Sequence, residues 1–351
     1  MRKHVLFLVH GMGDNVNDDG SIQTDWADQA RQTLESIYKK YDILSRVPFD
    51  ERFDIVAVNY DTVFNNLIKR WAEQSAALRT TGVPIDGIVG DVFKWLDSGA
   101  KQEDNFAWTH VTDVVLYRFF SLVRQRVKTH VAKQFTAALT PNNEGSVSSW
   151  SVIAHSLGCA ITHDVLHAMD ATSANEAGIS ILDAMVPSAN MVAMIANVSK
   201  ILENDIGVYD SQVVPPTTIK SNTVCFNYLS ANNKYDPFVL PERFDPKDDP
   251  EWKLAKKNKT FLDIRVENVH ELNVHGFKNY LDNPSVHIPL FERLAGRGTI
   301  GSSEKTAALA AFENIPKDDL LTRASGLLKD SKAPTWFDTV GKFYGLIKNQ
   351  Q

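Results

Sequence analysis

Residues Ser151–Ala160 read S-V-I-A-H-S-L-G-C-A, so that an apolar strand pattern runs into a serine and a helical pattern leaves it at Leu157. A turn of this kind crowds the backbones around its central residue, and small residues are needed two positions before and two positions after it. Ala154 and Gly158 fill those positions. The stretch therefore predicts a sharp strand-to-helix turn that lifts Ser156 above a sheet.

Short apolar runs bounded by turn residues predict six buried strands. They are Val5–Val9, Phe53–Val58, Val152–Ala154, Ile179–Leu182, Thr223–Leu229 and Phe261–Val266. Helical patterns lie between them at Asp25–Lys40, at about Val111–Leu139 and after Ser156. Strands that alternate with helices imply βαβ crossovers. We therefore expect an α/β fold with a mostly parallel central sheet flanked by helices.

Two segments extend beyond this alternation. Residues 61–109 are too long for a plain connection, and they predict a helical insertion, or cap, over the main domain of residues 1–295. Residues 296–351 predict a Gly/Ser-rich linker and a helical C-terminal tail. The last helical pattern carries an apolar stripe that we expect to pack on the same chain, with contact to a protein or lipid surface as the alternative.

The composition excludes several classes of protein. The 351 residues are 43% hydrophobic and 23% charged, which is typical of a globular chain, and the net charge of −6 disfavours nucleic-acid binding. No apolar run approaches the roughly 18–20 residues of a transmembrane segment, and Val5–Val9 is too short for a signal peptide. We therefore expect a cytoplasmic protein. Two cysteines give neither a disulfide framework nor a metal motif.

Two further pieces of sequence belong with the serine turn. The first predicted strand ends in His10-Gly11, followed by Met12. Asp236-Pro237 follows the fifth predicted strand and His275-Gly276 follows the sixth. Functional groups of open α/β sheets gather at the carboxyl ends of the strands, so these pieces are expected to lie near Ser156.

Together these pieces resemble the α/β-hydrolase superfamily, in its lipase, esterase and thioesterase-like branch, over about residues 4–295. The resemblance implies an α/β-hydrolase fold with Ser156 as nucleophile, Asp236 as acid and His275 as base. It also implies an oxyanion hole made by the backbone N–H groups of Met12 and Leu157. The sequence departs from the strict G-x-S-x-G motif because alanine replaces the first glycine.

Alternatives remain open for two members of the triad. Asp183 follows the fourth predicted strand and competes with Asp236 for the role of acid. His270 lies on the same loop as His275 and competes with it as base. His10 and His155 flank the predicted centre and are expected to shape it, whereas the helical pattern places His287 on a helix surface.

The sequence thus predicts a serine hydrolase that cleaves a carboxylic ester or thioester with an apolar acyl part, without metal or organic cofactor. An acyltransferase that uses the same triad is one alternative, and a non-catalytic binding protein of this fold is another. A dinucleotide loop starting at Gly11 is disfavoured because Val16 occupies the third glycine position of that motif.

Overall fold

The computed structural model describes residues 3–11, 25–67, 69–70, 113–114, 116–118, 120–140, 147–169, 188–203, 207–215, 224–239, 242–268, 270 and 273–316. Within these residues, six strands pair in parallel to form one sheet in the order β2-β1-β3-β4-β5-β6. The strands are β1 (His4–Val9), β2 (Phe53–Val58), β3 (Trp150–His155), β4 (Met191–Ile195), β5 (Tyr228–Asn233) and β6 (Phe261–Val266).

Helices connect and cover the strands. Those whose bounds fall within the described residues are α1 (Asp25–Tyr38), α2 (Asp42–Ser45), α3 (Phe49–Arg52), α4 (Ser121–Leu139), α5 (Leu157–Met169), α6 (Pro250–Lys257), α7 (Phe277–Asp282), α8 (Pro284–Ala295) and α9 (Ser302–Glu313). Helices α4 and α5 pack on each other, with α5 also against β1 and β3, whereas α8 packs against β4 and β6. Because parallel crossovers are right-handed, the reversal of strand order between β1 and β3 places α1 and α5 on opposite faces. The molecule is therefore a mixed α/β fold with a parallel sheet between helices.

The inner strands form the core. Every residue of β3, β4 and β5 is buried, whereas the edge strands β2 and β6 are partly exposed along their middle. Phe7 of β1 meets Phe135 and Trp150 at ring-centroid distances of 4.3 and 5.8 Å. Strands buried on both faces are expected in a parallel sheet, which explains why β1 and β4 are almost continuously apolar in sequence.

Two strands differ most from the sequence prediction, and β3 is longer at both ends than the predicted Val152–Ala154. The fifth begins at Tyr228 and continues to Asn233, so the polar residues predicted to form a loop belong to the strand. Side-chain hydrogen bonds offset part of the cost of burying them: Asn233 Nδ2 donates to the Asn268 carbonyl at 2.9 Å, and Asn232 Nδ2 donates to the Ser230 hydroxyl at 3.3 Å. The strand between β3 and β5 is Met191–Ile195, which the sequence analysis did not predict. The predicted strand Ile179–Leu182 lies outside the described residues.

The predicted helix from Val111 to Leu139 is not continuous. Phe120 has an extended backbone, with φ −115° and ψ 97°, and α4 begins only after it. Residues 113–114 and 116–118 are helical before this break. Within α4, Val123, Val127 and Val131 are spaced four residues apart and are buried in the core.

The segment after α8 packs on the main body as far as it is described. Ile300 is only 2% exposed, and Glu304 in the first turn of α9 accepts a hydrogen bond from the backbone N–H of Asp42 at 2.8 Å. Most of the predicted insertion, and the tail beyond residue 316, lie outside the described residues, so the predicted domain boundaries stay predictions. Among the helices that are described, none has the length and apolar character needed to cross a membrane.

Candidate active site

Ser156 occupies a strained turn between β3 and α5. Its φ is +53°, in the left-handed region that non-glycine residues seldom adopt. Its backbone N–H donates to the Ile195 carbonyl at the end of β4, at 3.0 Å, and its own carbonyl accepts from Cys159 N–H at 2.9 Å. The sheet and the first helical turn therefore hold the serine from both sides, and strain of this kind is frequent at functional sites.

Two glycines permit this turn to approach β1. An added Cβ at Gly158 would lie 2.2 Å from the His10 carbonyl oxygen, so α5 contacts the end of β1 at its backbone. An added Cβ at Gly11 would lie 2.9 Å from the Ser156 Cβ and 2.8 Å from His155 Nδ1. A side chain at Gly11 would therefore collide with the residue that carries the hydroxyl.

Ser156, His275 and Asp236 form one hydrogen-bonded line. The Ser156 hydroxyl oxygen lies 2.7 Å from His275 Nε2, and His275 Nδ1 lies 2.7 Å from Asp236 Oδ2. A carboxylate can only accept, so the imidazole proton is on Nδ1 and Nε2 is free to accept the serine proton. This is the arrangement of a nucleophile, a general base and a group that orients the base.

The Asp236 carboxylate is completely buried and receives three donors. The Phe238 backbone N–H donates to Oδ1 at 3.0 Å, and the Tyr280 hydroxyl donates to Oδ2 at 2.7 Å, beside the His275 bond. Buried polar groups are stable only when they are hydrogen-bonded. The surroundings therefore fix one orientation of this carboxylate.

The His275 ring is held from two further directions. The Phe238 ring lies 4.3 Å from it, centroid to centroid, at an interplanar angle of 35°. His155 Nε2 donates to the His275 carbonyl oxygen at 2.7 Å, which ties the histidine loop to the end of β3. The imidazole is thus positioned independently of the serine.

The end of β1 lies beside Ser156, close to Gly11. His10 stacks on Tyr60 at 4.1 Å, and the Tyr60 hydroxyl lies 2.9 and 2.7 Å from the carbonyl oxygens of His10 and Gly11. Burial raises the pKa of Tyr60, so its hydroxyl remains a donor. These contacts fix His10 and Gly11, which directly precede Met12, the residue predicted to supply one oxyanion N–H.

Of the two predicted oxyanion donors, only Leu157 lies within the described residues. Leu157 is the first residue of α5, and N–H groups of a first helical turn have no intrahelical acceptor. Its backbone N–H can therefore donate to an anion beside Ser156. Met12, the other predicted donor, lies outside the described residues.

The competing residues are placed elsewhere or are not described. His270 Nδ1 lies 3.2 Å from the Pro316 carbonyl and its ring meets Phe312 edge-on, so it does not join the serine. Asp183 lies outside the described residues. The prediction of a surface position for His287 was wrong: Nδ1 donates to the Leu281 carbonyl at 2.6 Å, and the side chain is buried against Tyr41.

The described part of the chain offers neither a reactive cysteine nor a metal centre, since Cys159 and Cys225 are both buried free thiols. Burial raises the pKa of Cys159 well above its usual range, and a protonated buried thiol is unreactive. No group of three or more His, Cys, Asp or Glu side chains among the described residues is arranged to hold a metal ion.

Three residues of the site were not identified from the sequence. They are Tyr60, Phe238 and Tyr280, which hold the loop after β1, the imidazole and the carboxylate, respectively. In a single sequence, each has the appearance of a core aromatic. The one available signal was proximity along the chain, because Phe238 follows Asp236 by two residues and Tyr280 follows His275 by five.

Comparisons with known proteins add little. No protein-family model and no curated protein matches the chain. One solved structure, the crystal structure of an uncharacterized protein from Pseudomonas aeruginosa, is similar with a TM-score of 0.34 and 9% sequence identity. The match covers 98% of this chain and 53% of that protein, so the chain spans about half of its length. A likeness this weak carries no argument about the fold or the function.

Proposed function

We propose that this protein is a serine hydrolase of the α/β-hydrolase type that cleaves a carboxylic ester or thioester through an acyl-enzyme intermediate. The observation that carries the proposal is the hydrogen-bonded line from Ser156 through His275 to Asp236, with both bonds at 2.7 Å. Nucleophile and base within about 2.6–3.2 Å, with the base oriented by a third group, is the geometry that activates a hydroxyl.

In the proposed reaction the Ser156 oxygen attacks the substrate carbonyl while His275 Nε2 takes the serine proton. The Asp236 carboxylate stabilises the imidazolium, and backbone N–H groups including that of Leu157 bind the oxyanion. The tetrahedral intermediate collapses, the bond to the alcohol or thiol breaks, and His275 returns its proton to the leaving group. Water then attacks the acyl-serine, assisted by the same histidine, and releases the carboxylic acid and the free serine.

The position of the site in the sheet supports the proposal. Strand order reverses between β1 and β3, and ligands of open α/β sheets bind outside the carboxyl ends of the strands at such a reversal. Ser156 follows the carboxyl end of β3, and Gly11 follows that of β1. A serine on a strand-to-helix turn at this place is what the nucleophile turn of α/β-hydrolases requires.

The surroundings favour a substrate with an apolar acyl part. Trp26 lies 5.5 Å from Phe277 and 6.0 Å from His10, measured between ring centroids. Phe277 also lies 5.8 Å from His155, so these aromatic rings border the serine turn. Apolar and aromatic walls with a few convergent polar groups are typical of small-molecule sites.

Labelling with a fluorophosphonate probe tests the proposal, since the probe phosphonylates only an activated serine. We expect wild-type protein to be labelled on Ser156, and Ser156→Ala and His275→Ala to lose labelling. Asp236→Asn should slow labelling by up to about 10⁴-fold, because an amide no longer orients the histidine. Mass spectrometry of the tryptic peptides locates the label.

Two control variants make the test specific. Ser151→Ala removes another buried serine of β3, and His270→Ala removes the competing histidine, and both should be labelled at the wild-type rate. Absence of labelling in wild-type protein with an intact urea unfolding transition would contradict the proposal and favour a binding protein. Once labelling is established, product analysis with an ester and an added alcohol separates hydrolysis from acyl transfer.

A further inference from the structure

The Tyr280 hydroxyl sits between the candidate acid and the backbone of β5. Tyr280, on α7, is completely buried. Its oxygen lies 2.7 Å from Asp236 Oδ2 and 2.9 Å from the backbone nitrogen of Asn233, the last residue of β5. One phenol group thus joins the end of a central strand to the carboxylate that orients the imidazole.

The direction of both bonds follows from simple donor counting. A backbone N–H can only donate, so Asn233 donates to the tyrosine oxygen. The single phenol proton is then left for the carboxylate. Burial raises the pKa of Tyr280 well above its usual range, and the charge of Asp236 raises it further, so the proton stays on the phenol.

We infer that Tyr280 is a positioning residue of the proposed hydrolase, which fixes the Asp236 carboxylate and withdraws part of its negative charge from the bond to His275. The inference rests on the proposed function. Oδ2 is shared by two donors, the Tyr280 hydroxyl and His275 Nδ1, each at 2.7 Å. The strength of the bond to the imidazole therefore depends on what the phenol supplies.

Loss of the hydroxyl has two effects with separate signatures. In Tyr280→Phe the carboxylate keeps only the Phe238 and His275 donors, so it is less rigidly oriented and the reaction slows. The remaining negative charge is directed at His275, which stabilises the imidazolium. The acidic limb of the rate-against-pH profile then moves to higher pH, because the histidine becomes neutral only at higher pH.

Two other titratable groups that lie near the Asp236–His275 pair stay in place in the variant. They are His155 at the end of β3, which donates to the His275 carbonyl, and Cys159 on α5, whose thiol lies near Tyr280 and remains protonated. Neither contacts the Asp236 carboxylate through a described hydrogen bond. A moved acidic limb is therefore assigned to the lost phenol.

The test compares the rate constant of fluorophosphonate labelling against pH in wild-type protein, Tyr280→Phe and a matched control, Tyr38→Phe. The Tyr38 hydroxyl is also buried, donates to the Val47 carbonyl at 2.8 Å and accepts from Arg52 at 2.9 Å, but lies on α1. We expect Tyr280→Phe to label about ten- to a hundredfold more slowly, with its acidic limb at higher pH, and Tyr38→Phe to follow wild type.

A second variant keeps the test valid if Tyr280→Phe folds poorly. 3-Fluorotyrosine incorporated at position 280 keeps the hydroxyl and is a stronger donor, so it should move the acidic limb to lower pH. A Tyr280→Phe variant with the labelling rate and the acidic limb of wild type would overturn the inference, and so would an acidic limb that either replacement leaves unmoved. Both results would leave the proposed hydrolase intact. Unlabelled but folded wild-type protein would overturn both.

Discussion

At Gly158 the helix after the serine meets the backbone of β1 with no room for a side chain. An alanine Cβ there would lie 2.2 Å from the His10 carbonyl oxygen and 2.8 Å from that of Val9, and neither backbone atom can move without displacing the strand. We expect Gly158→Ala to lower the free energy of unfolding by about 2 kcal/mol or more, measured by urea denaturation.

Gly301→Ala is the matched control for this substitution. Gly301 has an ordinary φ of −68°, and its added Cβ would meet only the flexible end of the Glu304 side chain, at 3.0 Å. Because Gly301 is the N-cap of α9, where alanine is less favourable than glycine, its free energy of unfolding should fall by no more than about 1 kcal/mol. If the two variants were equally stable, crowding would not explain the glycine after Ser156.

Residues of the candidate site could be predicted from the sequence where their place is given by the order of strands along the chain. Ser156, Asp236 and His275 each follow a predicted strand in the order that the resemblance to α/β-hydrolases implies, and the structure brings them into hydrogen-bonding contact. Tyr280 could not be predicted in this way. Its role depends on a hydroxyl that meets β5 across 47 residues of sequence, and a buried tyrosine in a helix is usually a core residue.

At the scale of elements, α6 offers a direct test of how its sequence fixes its start. The Asp249 side chain accepts from the backbone N–H groups of Glu251 and Trp252 at 2.9 and 3.0 Å, and Pro250 occupies the first helical position. We expect Asp249→Ala to lower the free energy of unfolding by about 1 kcal/mol, because two N–H groups lose their acceptor.

Asp249→Asn distinguishes capping from general electrostatics in the same assay. Asparagine keeps the side-chain oxygen and caps about as well as aspartate, so this variant should remain close to wild type. An equal loss in both variants would mean that the charge, rather than the cap, stabilises the helix. Thermal unfolding followed by circular dichroism gives an independent measure of both variants.

Strands were predicted well where apolar residues mark both ends of the run and poorly where polar residues continue it. β1, β2 and β6 lie where their apolar runs predicted, to within a residue. β5 was misplaced because Asn232 and Asn233 suggest a loop until their buried hydrogen bonds are seen. β4 was missed because its sequence, M-V-A-M-I, carries no alternation that distinguishes a buried strand from a helix.

At the scale of the whole molecule, topology explains why residues distant in sequence meet. The six strands found among the described residues are all parallel, so their carboxyl ends lie along one edge of the sheet. The ends of β1, β3 and β5, with the loop after β6, bring together four segments of the site. An alternation of strands and helices therefore predicts the location of a site before any side-chain contact is known.

Buried histidines make the stability of the whole fold sensitive to acid. Burial lowers the pKa of His163 and of His287 from 6.5 to about 4. Between these values the unfolded chain takes up protons that the folded chain does not, so the free energy of unfolding falls as the pH is lowered. For one such histidine the loss between pH 7.5 and 5 is on the order of 2 kcal/mol.

Replacement of His163 by glutamine tests this dependence, because glutamine does not titrate. We expect the free energy of unfolding of His163→Gln, measured in urea, to fall less than that of wild type between pH 7.5 and 5. Thr162→Ala, which changes the neighbouring buried residue of α5, should shift both values equally and keep the wild-type slope. Parallel slopes in wild type and His163→Gln would mean that His163 takes up its proton equally in the folded and the unfolded chain, and that the acid sensitivity arises elsewhere.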